Sequence, residues 1–162
     1  MAAPEQVGAY PRPPALVESG QLVRVEALDR LLAETRRSLR VLETFHPPTY
    51  YLAPEAVSQE LLQPSSGASF CEWKGVARYF DVVVDAGGPA ERRLRRAVWT
   101  YPEPTEAFAD LAGWFAVYPA LMDGCWLDGE LVRPQPGGFY GGWITYQVQG
   151  PFKGDPLHPE LV

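Results

Sequence analysis

The chain is predicted to be mainly β, an α+β domain of antiparallel strands with two short helices. Residues Gln21 to Ala27 alternate apolar and polar, the period of a strand with one buried face. Short runs of this kind recur, separated by turn chemistry such as Asp85-Ala86-Gly87-Gly88-Pro89 and Asp128-Gly129. Against these many strands stand only two short helical stripes, a balance that favours an antiparallel β fold with α additions.

Taken in order, residues 1–19 hold Pro4, Pro11, Pro13 and Pro14 and read as a loosely ordered arm. Residues 20–150 read as one β-rich domain and 151–162 as a proline-rich tail. After the 21–27 strand, Leu31–Thr35 and Ser38–Thr44 read as strands with Arg36-Arg37 at the corner. A helix through 28–43 is the competing reading, because Leu28, Leu31, Leu32 and Leu39 also share a helical face. His46-Pro47-Pro48 forces extended backbone into a short strand at Thr49–Leu52.

Pro54 suits the first turn of a helix with Val57 and Leu61 on one side, stopped by Pro64. Ser65 to Phe80 packs a thiol, an indole, an amine, a guanidinium and a phenol together, then becomes core at Val82-Val83-Val84. Leu94–Tyr101 returns as the second arm of a hairpin. Thr105 can cap a helix carrying Phe108 and Leu111, with Gly113 at its end. Phe115–Tyr118, the Asp128-Gly129 hairpin and Ile144–Val148 complete the strands.

At 162 residues the chain suits one domain with a real core, and 46% hydrophobic content is ordinary for a globular protein. A net charge of −6 argues against nucleic acid as a partner, since phosphate binding needs basic surface. The N-terminus has neither a basic leader nor an apolar core, and the longest apolar run, 111–122, is too short to span a bilayer. Two cysteines far apart fit reduced thiols in the cytoplasm. No cofactor class follows from the residues, and a homodimer stays open as an assembly.

The candidate site residues begin with Cys71 and Lys74, which flank Trp73. A nearby ammonium can stabilise a thiolate, so nucleophile and cation are one reading, and a structural thiol with a surface lysine the other. On strand alternation Cys71, Trp73, Gly75, Ala77 and Tyr79 share a face and Lys74 lies opposite; a bulge at Gly75 would reunite them. Leu39, Val41 and Glu43 share a face too, so a carboxylate is aimed where apolar groups go. Its expected partner is Arg36, Arg40 or Lys74, in a structural ion pair or a ligand site.

Trp73, Tyr79, Trp99, Tyr101, Tyr140 and Trp143 can wall a small-molecule pocket or fill a small β core. Cys71, Cys125, His46 and His158 lack metal-ligand spacing, so no metal is expected. The Gly137–Gly142 loop lacks the ending of a phosphate loop. Arg92–Arg96 reads as a solvated hairpin arm.

Four stretches carry a resemblance: Glu34–Thr44, His46–Tyr51, Cys71–Tyr79 and Trp99–Pro104. In this order they resemble a bacterial family catalogued as domain of unknown function four-twenty-seven and labelled nucleotidyltransferase-like. The likeness covers about residues 22–122, and the ending from Asp123 to Gly154 looks like an extension found in one branch. Glu72 and Phe80 depart from the usual proline and tyrosine. The resemblance implies a compact antiparallel β domain, barrel-like or tent-like, and no established reaction. No Gly-Ser motif with a nearby Asp pair supports nucleotidyl transfer. The remaining groups of these motifs, Arg36, Arg40, His46 and Tyr51, complete the candidate ligand-binding set.

The leading expectation is therefore a cytosolic β domain binding a small polar or anionic ligand in an aromatic-walled pocket. A group-transfer or thiol-dependent enzyme using Lys74, Glu43 and Cys71 is the first alternative. A protein-interaction module presenting the aromatics on its surface is the second.

Overall fold

The computed structural model describes residues 3–161. Among these residues fifteen strands follow one another, beginning with β1 Glu5–Gln6, β2 Ala15–Ser19, β3 Val23–Ala27, β4 Arg30–Thr35, β5 Ser38–Leu42, β6 Thr49–Leu52, β7 Leu62–Cys71 and β8 Gly75–Val84. Then come β9 Arg92–Thr100, β10 Phe115–Val117, β11 Gly124–Leu127, β12 Glu130–Leu131, β13 Arg133–Pro134, β14 Trp143–Ile144 and β15 Val148–Gln149. An antiparallel seven-stranded sheet runs β2-β5-β6-β10-β9-β8-β7, and a four-stranded one runs β12-β11-β3-β4. Both are open sheets: β2 and β7 remain edges, so the expected barrel-like closure does not occur. Among the described residues no helix is long and apolar enough to cross a membrane.

The alternation read at 21–27 is what lets the two sheets meet. Val23, Val25 and Ala27 are fully buried, while Arg24 and Glu26 point out and bond each other at 2.8 Å. They pack with Leu32, Ala33, Cys125 and Leu127 against Tyr50, Leu52, Val82, Val98 and Phe115 of the larger sheet. Each fully buried valine here contributes roughly 1.5–3 kcal/mol. The strand reading of 28–43 holds. Leu28 and Asp29 turn the chain with φ of 49° and 62°, and Arg36-Arg37 carries it from one sheet to the other.

Both expected helices are short 3-10 turns instead. Pro54–Ala56 and Gln59–Leu61 are single turns separated by extended backbone at Val57, and the chain then enters β7. Pro64 sits inside that strand, which is an edge, where a missing N–H costs no ladder bond. Thr105 precedes a 3-10 stretch, Glu106–Leu111, and spends its hydroxyl on the Trp73 carbonyl at 2.5 Å rather than capping a helix. Residues 65–84, expected as one arm of a single hairpin, instead supply most of β7 and β8, so β7-β8-β9 form a three-stranded meander.

The expected loose arm is also corrected. Its first two residues lie outside the described part, but β2 pairs along the whole of β5 and β1 pairs with β15 in parallel. Val7 and Tyr10 are buried against Val148, Leu42 and Phe152, so the N-terminal segment packs against residues 148–152. Arg40 explains why. It emerges from β5 on the side away from Leu39 and Val41, is 7% exposed, and donates to Glu5 at 2.5 Å. The Tyr10 hydroxyl donates to the same carboxylate at 2.6 Å. Burial would raise the Glu5 pKa, but these bonds and the guanidinium charge leave it below the usual carboxylate value.

Candidate functional site

The outward face of the seven-stranded sheet, opposite the main core, carries the cleft. Strand alternation decides its lining. Tyr50 and Leu52 of β6 enter the core, so Thr49 and Tyr51 face out; Val98 of β9 faces in, so Trp99 faces out. Ala97, two residues before Trp99, packs into the core rather than sharing its face. The register pairs Tyr79 with Trp99 and Trp99 with Ala116, whose small side chain lies between large rings. Over that low point the Trp99 indole N–H donates to the Tyr51 hydroxyl at 3.1 Å, the rings meeting edge to face at 6.2 Å. The hollow is about 430 Å³, within the range of small-molecule pockets.

One wall is the β7-β8 hairpin. Cys71 and Gly75 pair across it, and Glu72-Trp73-Lys74 form the turn. Gly75 has φ +104°, a conformation that glycine tolerates, so the turn reverses in three residues. This replaces the expected continuous strand and places Cys71, Trp73 and Lys74 on one cleft wall. Thr105 pins the turn through the Trp73 and Lys74 carbonyls, the latter at 3.1 Å. The Lys74 ammonium stands 5.8 Å from the Tyr101 ring and 5.9 Å from Phe108.

The opposite wall comes from the C-terminal loop. A methyl group at Gly141 would overlap the Trp99 ring, and one at Gly142 would press on Gln135 and Pro47. The two glycines therefore let the loop close onto the sheet. Tyr140 meets His46 edge to face at 5.3 Å, with the Lys153 ammonium 5.7 Å over the Tyr140 ring.

Gln135 fixes the state of His46. Its carbonyl oxygen accepts the Gly142 N–H at 3.2 Å, so its amide nitrogen is the donor. That nitrogen donates to the Lys153 carbonyl at 2.9 Å and meets His46 Nδ1 at 3.0 Å. Nδ1 must accept, which leaves the proton on Nε2. Burial lowers the His46 pKa, and Lys153 and Arg12 lower it further against the opposing pull of Glu43. The imidazole is thus neutral at pH 7, with Nε2–H 3.9 Å from a Glu43 carboxylate oxygen.

Glu43 points outward beside Leu39 and Val41, as the alternation predicts, but its partners differ from those expected. Arg12, at 3.8 Å, and His46 are its neighbours, in place of Arg36, Arg40 or Lys74. Arg36 lines a separate groove of about 790 Å³ with Glu18, Ser38 and Asp110. Arg40 belongs to the Glu5 ion pair on the other face of β5. Trp143 is buried in the main core, its ring 5.0 Å from Tyr50, because its backbone N–H is fixed to Pro48 O at 2.8 Å. The other candidates, Glu43, His46, Tyr51, Cys71, Trp73, Lys74, Tyr79, Trp99, Tyr101 and Tyr140, all line the one cleft.

Several lining groups carried no sequence signal, among them Gln135, Tyr118 and Lys153. Burial raises the pKa of Tyr51 and Tyr101, and that of Tyr118 to about 12, so these phenols keep their protons and can donate. The cleft thus combines aromatic faces, hydroxyl and imidazole donors, a carboxylate acceptor and two ammonium groups. Among the described residues, no three of His, Cys, Asp and Glu gather to hold a metal ion.

No curated protein is detectably similar to the chain. Residues 15–128 match the model of a family described as Domain of unknown function (DUF427). The sheet face and the hairpin wall fall inside that match, whereas Arg12, Gln135, Tyr140, Gly141 and Lys153 fall outside it. With well over half of its length matched, the chain belongs to the family described as Domain of unknown function (DUF427).

Proposed function

We propose that the chain is a cytoplasmic small-molecule-binding domain that holds a small polar or anionic ligand in the aromatic cleft. One observation carries this reading: beside the hydrogen-bonded Tyr51–Trp99 pair lies a hollow of about 430 Å³ that Glu43, His46, Lys74 and Lys153 also line. A ring-bearing ligand gains stacking area from the walls, hydrogen bonds from His46 Nε2–H and the phenols, and an acceptor in Glu43. Lys74 and Lys153 favour a negative substituent. Both cysteines are free thiols, in keeping with a reducing compartment.

A melting-temperature screen with nucleosides, sugars and organic anions tests the reading. A ligand at a hundred times its Kd adds about 2.7 kcal/mol, which raises Tm by roughly 5–10 °C in a domain of this size. A screen in which no compound raises Tm contradicts the proposal.

Thiol-dependent group transfer is a second reading, favoured by Cys71 lying on the same wall as Lys74. It requires Cys71→Ser to abolish turnover of a ligand the cleft binds. A Cys71→Ser variant that binds and reacts normally removes the thiol from the mechanism.

A further inference from the structure

A second groove, of about 610 Å³, adjoins the cleft and shares Tyr79, Tyr118, Phe139 and Tyr140 with it. The two hollows are one trough divided by an aromatic partition. Arg96 is the single charged side chain lining the second part. Its guanidinium lies 4.0 Å over the Tyr79 ring, with the Ser66 carbonyl at 3.5 Å. Arg92 and Arg93 in the same strand are paired with Asp29 and Asp81, but Arg96 makes no ion pair among the described residues.

The backbone is built to aim this residue. Phe80 pairs with Val98 and Val82 with Leu94, so Asp81 alone faces Arg95, Arg96 and Ala97. Arg96 takes up the slack at φ +51°, a region that side-chain-bearing residues rarely enter. Asp81, 5% exposed, holds the distortion: it accepts the Arg96 N–H at 2.9 Å and bonds from Arg93 at 2.7 Å and the Ser65 hydroxyl. Burial would raise the Asp81 pKa, yet these bonds keep it below the usual value, so the anchor stays ionised. A bulge fixed by a buried carboxylate, projecting an uncompensated cation along a ring face into a groove, is a local cost of the kind found beside binding sites.

We propose that the second groove is a subsite of the same trough, in which Arg96 takes an oxyanion carried by a ligand whose ring lies in the first cleft. The inference rests on the cleft being a binding site and adds the ligand's shape: elongated, with a carboxylate or phosphate at one end. The guanidinium presents two parallel N–H groups to such an oxyanion, a geometry an ammonium cannot supply.

Matched probes test it: adenosine against adenosine 5′-monophosphate, and 3-phenylpropanol against 3-phenylpropionate, each titrated by tryptophan fluorescence. The two pairs separate phosphate from carboxylate as the preferred anion. In the unmodified protein the anionic member of the preferred pair binds about tenfold tighter than its neutral partner. Arg96→Asn, chosen because asparagine tolerates positive φ, removes that preference, so that the anionic and neutral members of the pair bind alike. Arg96→Lys keeps the charge and loses only part of the preference, a check that does not depend on the asparagine variant folding.

An anion preference that survives in Arg96→Asn assigns it to Lys74 or Lys153 and overturns the subsite while sparing the cleft. Equal binding of neutral and anionic probes to the unmodified protein does the same. If no probe binds up to millimolar concentration, the cleft reading fails and the subsite falls with it.

Discussion

Glu43→Gln separates a ligand-facing carboxylate from a structural one. A buried ion pair broken on one side costs about 3–5 kcal/mol, because the remaining charge is stranded without water. The surroundings of Glu43 are different. Arg12 stands 3.8 Å away and is 46% exposed, so it can turn to solvent when the carboxylate is lost. His46 is neutral at pH 7 and loses no ion pair. The substitution should therefore cost less than about 1 kcal/mol, the range of loose, hydrated pairs. With a urea m-value of about 2 kcal/mol/M, the unfolding midpoint falls by less than about 0.5 M. Ligand binding in the cleft should weaken, and the His46 pKa should fall further, because the Glu43 charge is the largest influence raising it. A midpoint lowered by about 1.5 M or more refutes this reasoning and makes Glu43 part of the scaffold.

Arg40→Met should destabilise by about 2 kcal/mol in the same urea assay, since it removes charge-assisted bonds to Glu5 while Glu5 can still reach water; an unchanged midpoint contradicts the role given to Arg40. Gly141→Ala should cost about 1–3 kcal/mol and shift the tryptophan emission, because the added methyl displaces the Trp99 ring; an unperturbed spectrum shows that the loop does not rest on the indole. Stability should decline as pH falls from about 6.5, since unfolded His46 takes up a proton there and the folded imidazole, its pKa lowered, does not. His46→Asn keeps an acceptor for Gln135 and should flatten that decline, and an identical pH profile would assign it elsewhere. Alkylating reagents should label Cys71 and spare Cys125, which is 2% exposed and whose pKa burial pushes up to about 12; equal labelling in the folded protein removes the distinction.

Much of the cleft was legible because strands obey a period of two. The run Leu39, Val41, Glu43 places a carboxylate on the sheet face whatever lies around it, and Trp99 and Tyr101 follow by the same rule. Its partners were not legible, because they belong to loops without a period: Gln135 meets His46 across 89 residues, and Arg12 reaches Glu43 from the arm. Trp143 and Tyr140 illustrate the limit within one loop. Both are aromatic and three residues apart, yet one N–H bond to Pro48 sends Trp143 into the core while Tyr140 stays in the cleft. The two helices failed for a local reason. Pro54 and Thr105 are sound start signals, but each opens a segment too short to nucleate an α-helix, and tertiary contacts settle such segments as 3-10 turns. The bulge at Arg96 has no signature in a string of arginines, since Asp81 on the neighbouring strand creates it.

The proposed ligand site is the aromatic face of the larger sheet. Amide and indole proton–nitrogen correlation spectra, recorded while a compound that raises Tm is titrated in, test it most directly. Binding in the cleft gives saturable shifts of the Trp73 and Trp99 indole signals and of the Gly141 and Gly142 amides, with those of β3 and β11 unmoved. Saturable shifts confined to the groove of Arg36 and Asp110, with the Trp73 and Trp99 indoles unchanged, would contradict it.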